Sequence, residues 1–145
     1  MPSGRTHTMA TIALGVGSLL TGQDTAVTVG ILSGILLSPD LDVDEGNISL
    51  AHLRRVPFVG KTLALAWRFY WLPYALAAPH RSHISHSLIF GTLARVGYIL
   101  IPVLAINFIG VPLSIPAGFG MWLIGLALAD ALHIFMDYTM KENRK

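Results

Sequence analysis

The sequence predicts an all-α fold, an integral membrane helical bundle of about four spanning helices with an added interfacial aromatic helix. Three observations predict it. The 145-residue chain is 53% hydrophobic and 12% charged, against about 25% charged in soluble domains, and its mean hydropathy is +0.61. Its apolar residues fall into four stretches separated by turn signals. Its Lys and Arg residues gather on one side of those stretches. At this length residues 1–145 form a single membrane domain.

The first stretch, 9–20, ends at the turn-forming Thr21-Gly22-Gln23-Asp24, and the second, 26–37, ends at Ser38-Pro39. Both fall short of the roughly 20 residues a straight span needs, so they read as a helical hairpin that recruits flanking residues. The third, 84–109, and the fourth, 113–136, reach full spanning length. Between the hairpin and the third stretch lies the more polar segment 40–83. Within it, 61–78 is amphipathic and carries Trp67, Phe69, Tyr70, Trp71 and Tyr74. Trp and Tyr favour the headgroup region, and Pro73 and Pro79 oppose an ordinary spanning helix, so this segment reads as interfacial or re-entrant. Gly30 and Gly34 form a G-x-x-x-G spacing that permits close helix contact in lipid.

With four spans, the N-terminus, the 40–83 segment and the C-terminus share one side, and every Lys and Arg lies on or nearest to that side. The far side holds only Asp24 and the uncharged Gly110-Val111-Pro112 connector. The positive-inside rule makes the charged side, with both termini, cytoplasmic. A cleaved signal peptide over 1–22 is the competing reading, with Arg5 as its basic end, but no small-x-small cleavage site follows.

Composition excludes several functions. There are no cysteines, which removes disulfides, thiolate metal sites and Cys nucleophiles. No G-x-S-x-G elbow or P-loop Lys motif is present, which removes serine hydrolases and P-loop NTPases. The basic residues are scattered singly or in pairs, so nucleic acid is not an expected partner and membrane lipid is.

What remains are polar residues in apolar surroundings, which in a membrane protein point to function. Asp130, His133 and Asp137 form D-x-x-H-x-x-x-D. On a helix these fall within an arc of about 60°, so three potential ligands face one way. A helix end reaching water accounts for Asp137 alone, not for Asp130 two turns deeper. In Ser38-Pro39-Asp40-Leu41-Asp42, an extended backbone projects Asp40 and Asp42 to one side. Two carboxylates so close call for a cation, or else mark a solvated turn. The densest element is Pro79-His80-Arg81-Ser82-His83-Ile84-Ser85-His86-Ser87. Ser82 or Ser85 can cap the third helix, placing His86 in its first turn, where the dipole favours the neutral, metal-binding imidazole. His80 can reach the same centre from the loop. His83 reads as a third ligand or a surface residue. Arg81 suits an anionic oxygen, as guanidinium does with phosphate. His7 taken alone is uninformative, and His52 is left outside the site.

These motifs carry a resemblance that covers nearly the whole chain. It rests on Met1-Pro2-Ser3-Gly4-Arg5-Thr6-His7, Ser38-Pro39-Asp40-Leu41-Asp42, Trp71-Leu72-Pro73-Tyr74, His80-Arg81-Ser82 with Ser85-His86-Ser87, Gly91-Thr92 with Arg95 and Tyr98, and Asp130, His133 and Asp137 in that order. The chain resembles the YdjM-like family of small bacterial membrane-bound metal-binding proteins, whose members are regarded as metal-dependent hydrolases. The resemblance implies metal ligands at His7, Asp40, Asp42, His80, His86, Asp130, His133 and Asp137, and a bacterial inner-membrane location. Some members carry an acidic residue just after the first His, where this chain has Thr8; His83 is outside the family pattern.

A thiolate-free His/Asp set suits one or two of Zn, Mn or Fe, and eight ligands exceed one tetrahedral zinc, which favours a dinuclear centre. The expected function is hydrolysis of an ester or phosphoester, lipid included, at the cytoplasmic face, with Arg81 as the catalytic anion holder. The alternative is a non-catalytic metal-binding, sensor or carrier membrane protein. A transporter is disfavoured because segments 9–37 and 98–129 hold almost no charge.

Overall fold

A computed structural model describes residues 4–43, 47–79 and 82–142. Among these residues the fold is all-helical, without strands. The elements are α1 (Gly4–Leu20), α2 (Thr25–Ser33), a 3-10 turn (Pro39–Asp42), α3 (Ile48–Leu53), α4 (Gly60–Ala77), α5 (His83–His86), α6 (Leu88–Phe108) and α7 (Phe119–Glu142).

The hairpin forms as α1 and α2. Gly22, at φ 70°, closes the turn, and the Asp24 carboxylate accepts the Ala26 amide at the start of α2. α1 begins at Gly4, so His7 lies inside the helix and not ahead of it. The two helices are tied by Ser18 and Thr28, whose hydroxyls meet at 2.9 Å. α2 is only nine residues long, about 13 Å at 1.5 Å per residue. Among the described residues, α6 and α7 are the helices long and apolar enough to cross a membrane.

α2 packs along α7 more extensively than any other helix pair. Glycine makes this possible. A Cβ on Gly30 would lie 2.0 Å from the Trp122 carbonyl oxygen, and one on Gly125 would lie 2.0 Å from that of Val27. One turn along, a Cβ on Gly34 would meet the Ala129 Cβ at 2.5 Å. The Gly30/Gly34 spacing therefore faces a matching Gly125/Ala129 spacing.

The core gathers Leu37, Leu41, Trp71, Tyr74, Ala78, Val96 and Leu126. α4 runs as an uninterrupted helix through Pro73, and its inner aromatic face enters this core. Trp71 and Tyr74 are buried while Phe69 and Leu76 point outward. α4 is locked to α6 by reciprocal bonds: the Tyr98 hydroxyl donates to the Tyr70 carbonyl at 2.6 Å, and the Tyr70 hydroxyl donates to the Tyr98 carbonyl at 3.3 Å.

The start of the third apolar stretch differs from expectation. Ser82 caps the short α5 and Ser87 caps α6, accepting the Phe90 and Gly91 amides. Ser87 is extended, at φ −89° and ψ 142°, and breaks the helix there. His86 thus ends α5 and precedes the α6 cap, instead of sitting in the first turn of the long helix.

Candidate metal centre

The 3-10 turn, α5 and α7 bring three ligand atoms together from Asp40, His86 and His133, all within 4.8 Å of one another. His86 Nε2 lies 3.9 Å and His133 Nε2 3.6 Å from Asp40 Oδ1. A second set, His7, His133 and Asp137, meets the same criterion and shares His133. His7 Nε2 stands 3.1 Å from Asp137 Oδ1, and His133 Nε2 lies 3.8 Å from Asp137 Oδ2. The His7 and His133 rings stack with centroids 4.0 Å apart. Three helices and one turn, far apart in sequence, thus meet around His133.

Asp40 and Asp42 do not project together. Pro39, with its fixed φ, starts a 3-10 turn and not an extended run. With three residues per turn, positions i and i+2 diverge by about 120°. Asp40 accordingly faces His133 and His86 Nε2, while Asp42 Oδ2 faces His86 Nδ1 at 3.3 Å. The two carboxylates address opposite edges of one imidazole.

Asp130 takes a different partner from its helix neighbours. Its Oδ2 accepts from Arg95 Nη2 and, at 2.5 Å, from the Thr92 hydroxyl, both on α6. Arg95 and Asp130 are each 1% exposed, and Arg95 Nη1 donates to the Ser85 carbonyl at 3.2 Å. Asp130 Oδ1 makes no hydrogen bond among the described residues. Arg95 was not a candidate site residue from sequence. The available signal was a lone cation in a long apolar stretch, which calls for a buried partner. His80 and Arg81 lie outside the described residues, as does the His83 side chain. His52, set aside earlier, points its Nε2 at the Thr8 hydroxyl at 3.0 Å.

The electrostatics favour a cation. Burial pushes the Asp40 carboxyl up, but the facing His133, with His86 beyond it, outweighs this, and the net shift is below the usual carboxylate range. Two buried nitrogens, His7 Nδ1 and His133 Nε2, make no hydrogen bond among the described residues. Imidazole and carboxylate donors with nitrogens left unsatisfied fit a divalent transition metal. One imidazole nitrogen has one lone pair, so His133 Nε2 serves a single ion even where two sets converge on it.

Residues 2–122 match the family described as uncharacterized metal-binding protein (DUF2227). The chain belongs to this metal-binding family. No curated protein and no solved structure matches it. The family's description names metal binding and no reaction. The matched region holds His7, Asp40, Asp42, His80 and His86 and stops before Asp130, His133 and Asp137. For this DUF2227 member, α7's part in the cluster therefore rests on the geometry.

Proposed function

We propose that this DUF2227 member is a membrane-embedded, metal-dependent hydrolase of an ester or phosphoester. The observation that carries this reading is the one-sided exposure of the cluster. The side chains of Asp40 and Asp137 are 26% and 21% exposed and that of His86 14%, while those of His7 and His133 are 7% and 6% exposed. Catalytic metal sites keep one position open in this way, whereas purely structural sites are closed. The residues that would hold the metal are His7, Asp40, His86, His133 and Asp137, with His80 as a further donor, and a donor set larger than one triad supports one or two ions. Bound there, Zn, Mn or Fe supplies Lewis acidity toward the ester oxygen and lowers the pKa of water. The buried edge keeps solvent from His7 and His133, the carboxylate edge admits substrate, and Arg81 steadies its anionic oxygen. The YdjM-like motifs point the same way.

Membrane residence is part of the proposal. Exposed Met9, Leu19, Phe90, Leu104, Phe108 and Phe135 spread an apolar surface over α1, α6 and α7, which supports contact with hydrocarbon. In this reading α6 and α7 span a bacterial inner membrane, the α1–α2 hairpin completes the bundle, and both termini are cytoplasmic. An open apolar groove of about 700 Å³, lined by Leu37, Leu63, Trp67, Tyr70, Ile99 and Pro102, supports a substrate with an acyl chain.

The test is elemental analysis of protein purified in mild detergent, followed by a phospholipid and phosphoester screen of metal-replete protein. About two equivalents of transition metal, with turnover lost in His133→Ala, is the expected result. Bound metal without turnover of any substrate would leave a non-catalytic metal carrier or sensor.

A further inference from the structure

We propose that Asp42 is a positioning residue that holds His86 for the metal and is not itself a ligand, with Arg95 and Asp130 bracing the backbone behind it. This rests on the metal-binding reading of the site given above.

Three observations carry it. Asp42 Oδ2 faces His86 Nδ1 at 3.3 Å, and the Asp42 side chain has no solvent exposure. The opposite ring nitrogen, Nε2, faces Asp40 Oδ1 at 3.9 Å. Asp42 is absent from both sets of converging ligand atoms. A neutral imidazole has one N–H and one lone pair. A carboxylate on the Nδ1 edge accepts the N–H there, which leaves the Nε2 lone pair aimed at the metal. Ser85 Oγ, 3.1 Å from the same Nδ1, supports that edge from the side. Carboxylate–imidazole–metal relays of this kind orient the ring and raise its basicity.

The brace is a second layer. Arg95 Nη1 donates to the carbonyl of Ser85, the residue before His86, and Nη2 donates to Asp130. Both charged groups are fully buried on long helices. The backbone that presents His86 is thereby tied to the α6–α7 pair and not left to a short four-residue helix. Asp42 and Asp130 become an outer layer, and Asp40 and Asp137 an inner one.

The experiment titrates full-length, detergent-purified metal-free protein with Zn²⁺ by calorimetry, and records X-ray absorption on the loaded protein. Asp42→Ala, Asp42→Asn and Asp40→Ala are compared with the unaltered chain. Asp42→Ala is expected to keep the stoichiometry and the count of oxygen donors while weakening binding by about 10–100-fold. Asp42→Asn, whose carbonyl still accepts the Nδ1–H, is expected to recover most of that loss. Asp40→Ala is expected to lose an oxygen donor. Should Asp42→Ala fail to fold, the near-isosteric Asp42→Asn and the smaller Asp42→Ser are compared, with Ser expected to bind the more weakly at unchanged stoichiometry. Loss of an oxygen donor or of an equivalent in Asp42→Ala or Asp42→Ser overturns the proposal, as does unchanged affinity. Absence of Zn²⁺ binding in the unaltered chain would instead overturn the metal centre itself.

Discussion

His7 on α1 and His133 on α7 stack with ring centroids 4.0 Å apart and planes 20° from parallel. The contact closes the bundle, since α1 otherwise leans chiefly on α2. It also brings His7, a ligand in the proposed metal centre, from the first helix to His133 and Asp137 on the last. His7→Ala is expected to weaken metal binding by more than the roughly 10–100-fold typical of outer-shell changes. Calorimetric titration against Asp42→Ala checks the ranking.

Asp40 sets a pH dependence in the metal-free protein. Its carboxyl, facing His133, lies below its ordinary value of 3.8. A lowered folded-state pKa means that the folded state binds the proton less readily than the unfolded chain. The stabilisation is therefore complete above pH 3.8 and is lost as pH falls through the lower folded value. Thermal midpoints of metal-free protein across that acid range are expected to fall more steeply for the unaltered chain than for Asp40→Asn. Metal binding shows acid sensitivity of its own, because imidazole must be unprotonated to ligate.

The α2–α7 contact gives a packing test. Gly30→Ala drives a methyl into the Trp122 carbonyl, which a Cβ at that position would approach to 2.0 Å. Overpacking of this kind costs about 1–3 kcal/mol or more. At Gly17 on α1 a Cβ meets nothing within 4 Å, and Gly17→Ala is expected to be neutral or stabilising by about 0.5–1 kcal/mol. Thermal unfolding in detergent separates the two.

The Arg95–Asp130 pair gives an electrostatic test. Removing either partner leaves a buried charge uncompensated, which costs about 3–5 kcal/mol, whereas replacing both with apolar residues is much less costly. Arg95→Met and Asp130→Leu are expected to be strongly destabilising alone and less so together. A double-mutant cycle on the melting midpoint measures the coupling.

Local periodicity determined a good part of this protein. The all-helical class and the two long apolar helices follow from the length and composition of the apolar stretches, and the common face of His133 and Asp137 and the Gly30/Gly34 seam follow from spacings of three or four residues. Such spacings act within one helix and are readable without neighbours. The tertiary structure decided the rest. A 3-10 turn in place of an extended strand sent Asp40 and Asp42 to opposite edges of His86. The capping choice at Ser87 moved His86 out of the long helix. Arg95 and Thr92 of α6 engaged one carboxylate oxygen of Asp130 in a buried pair, and His7, uninformative alone, acquired its place only when α1 met α7. Each of these depends on which backbone group or charge finds a partner across elements. That is a long-range outcome, because desolvated polar groups pair with whatever the packed helices bring within reach.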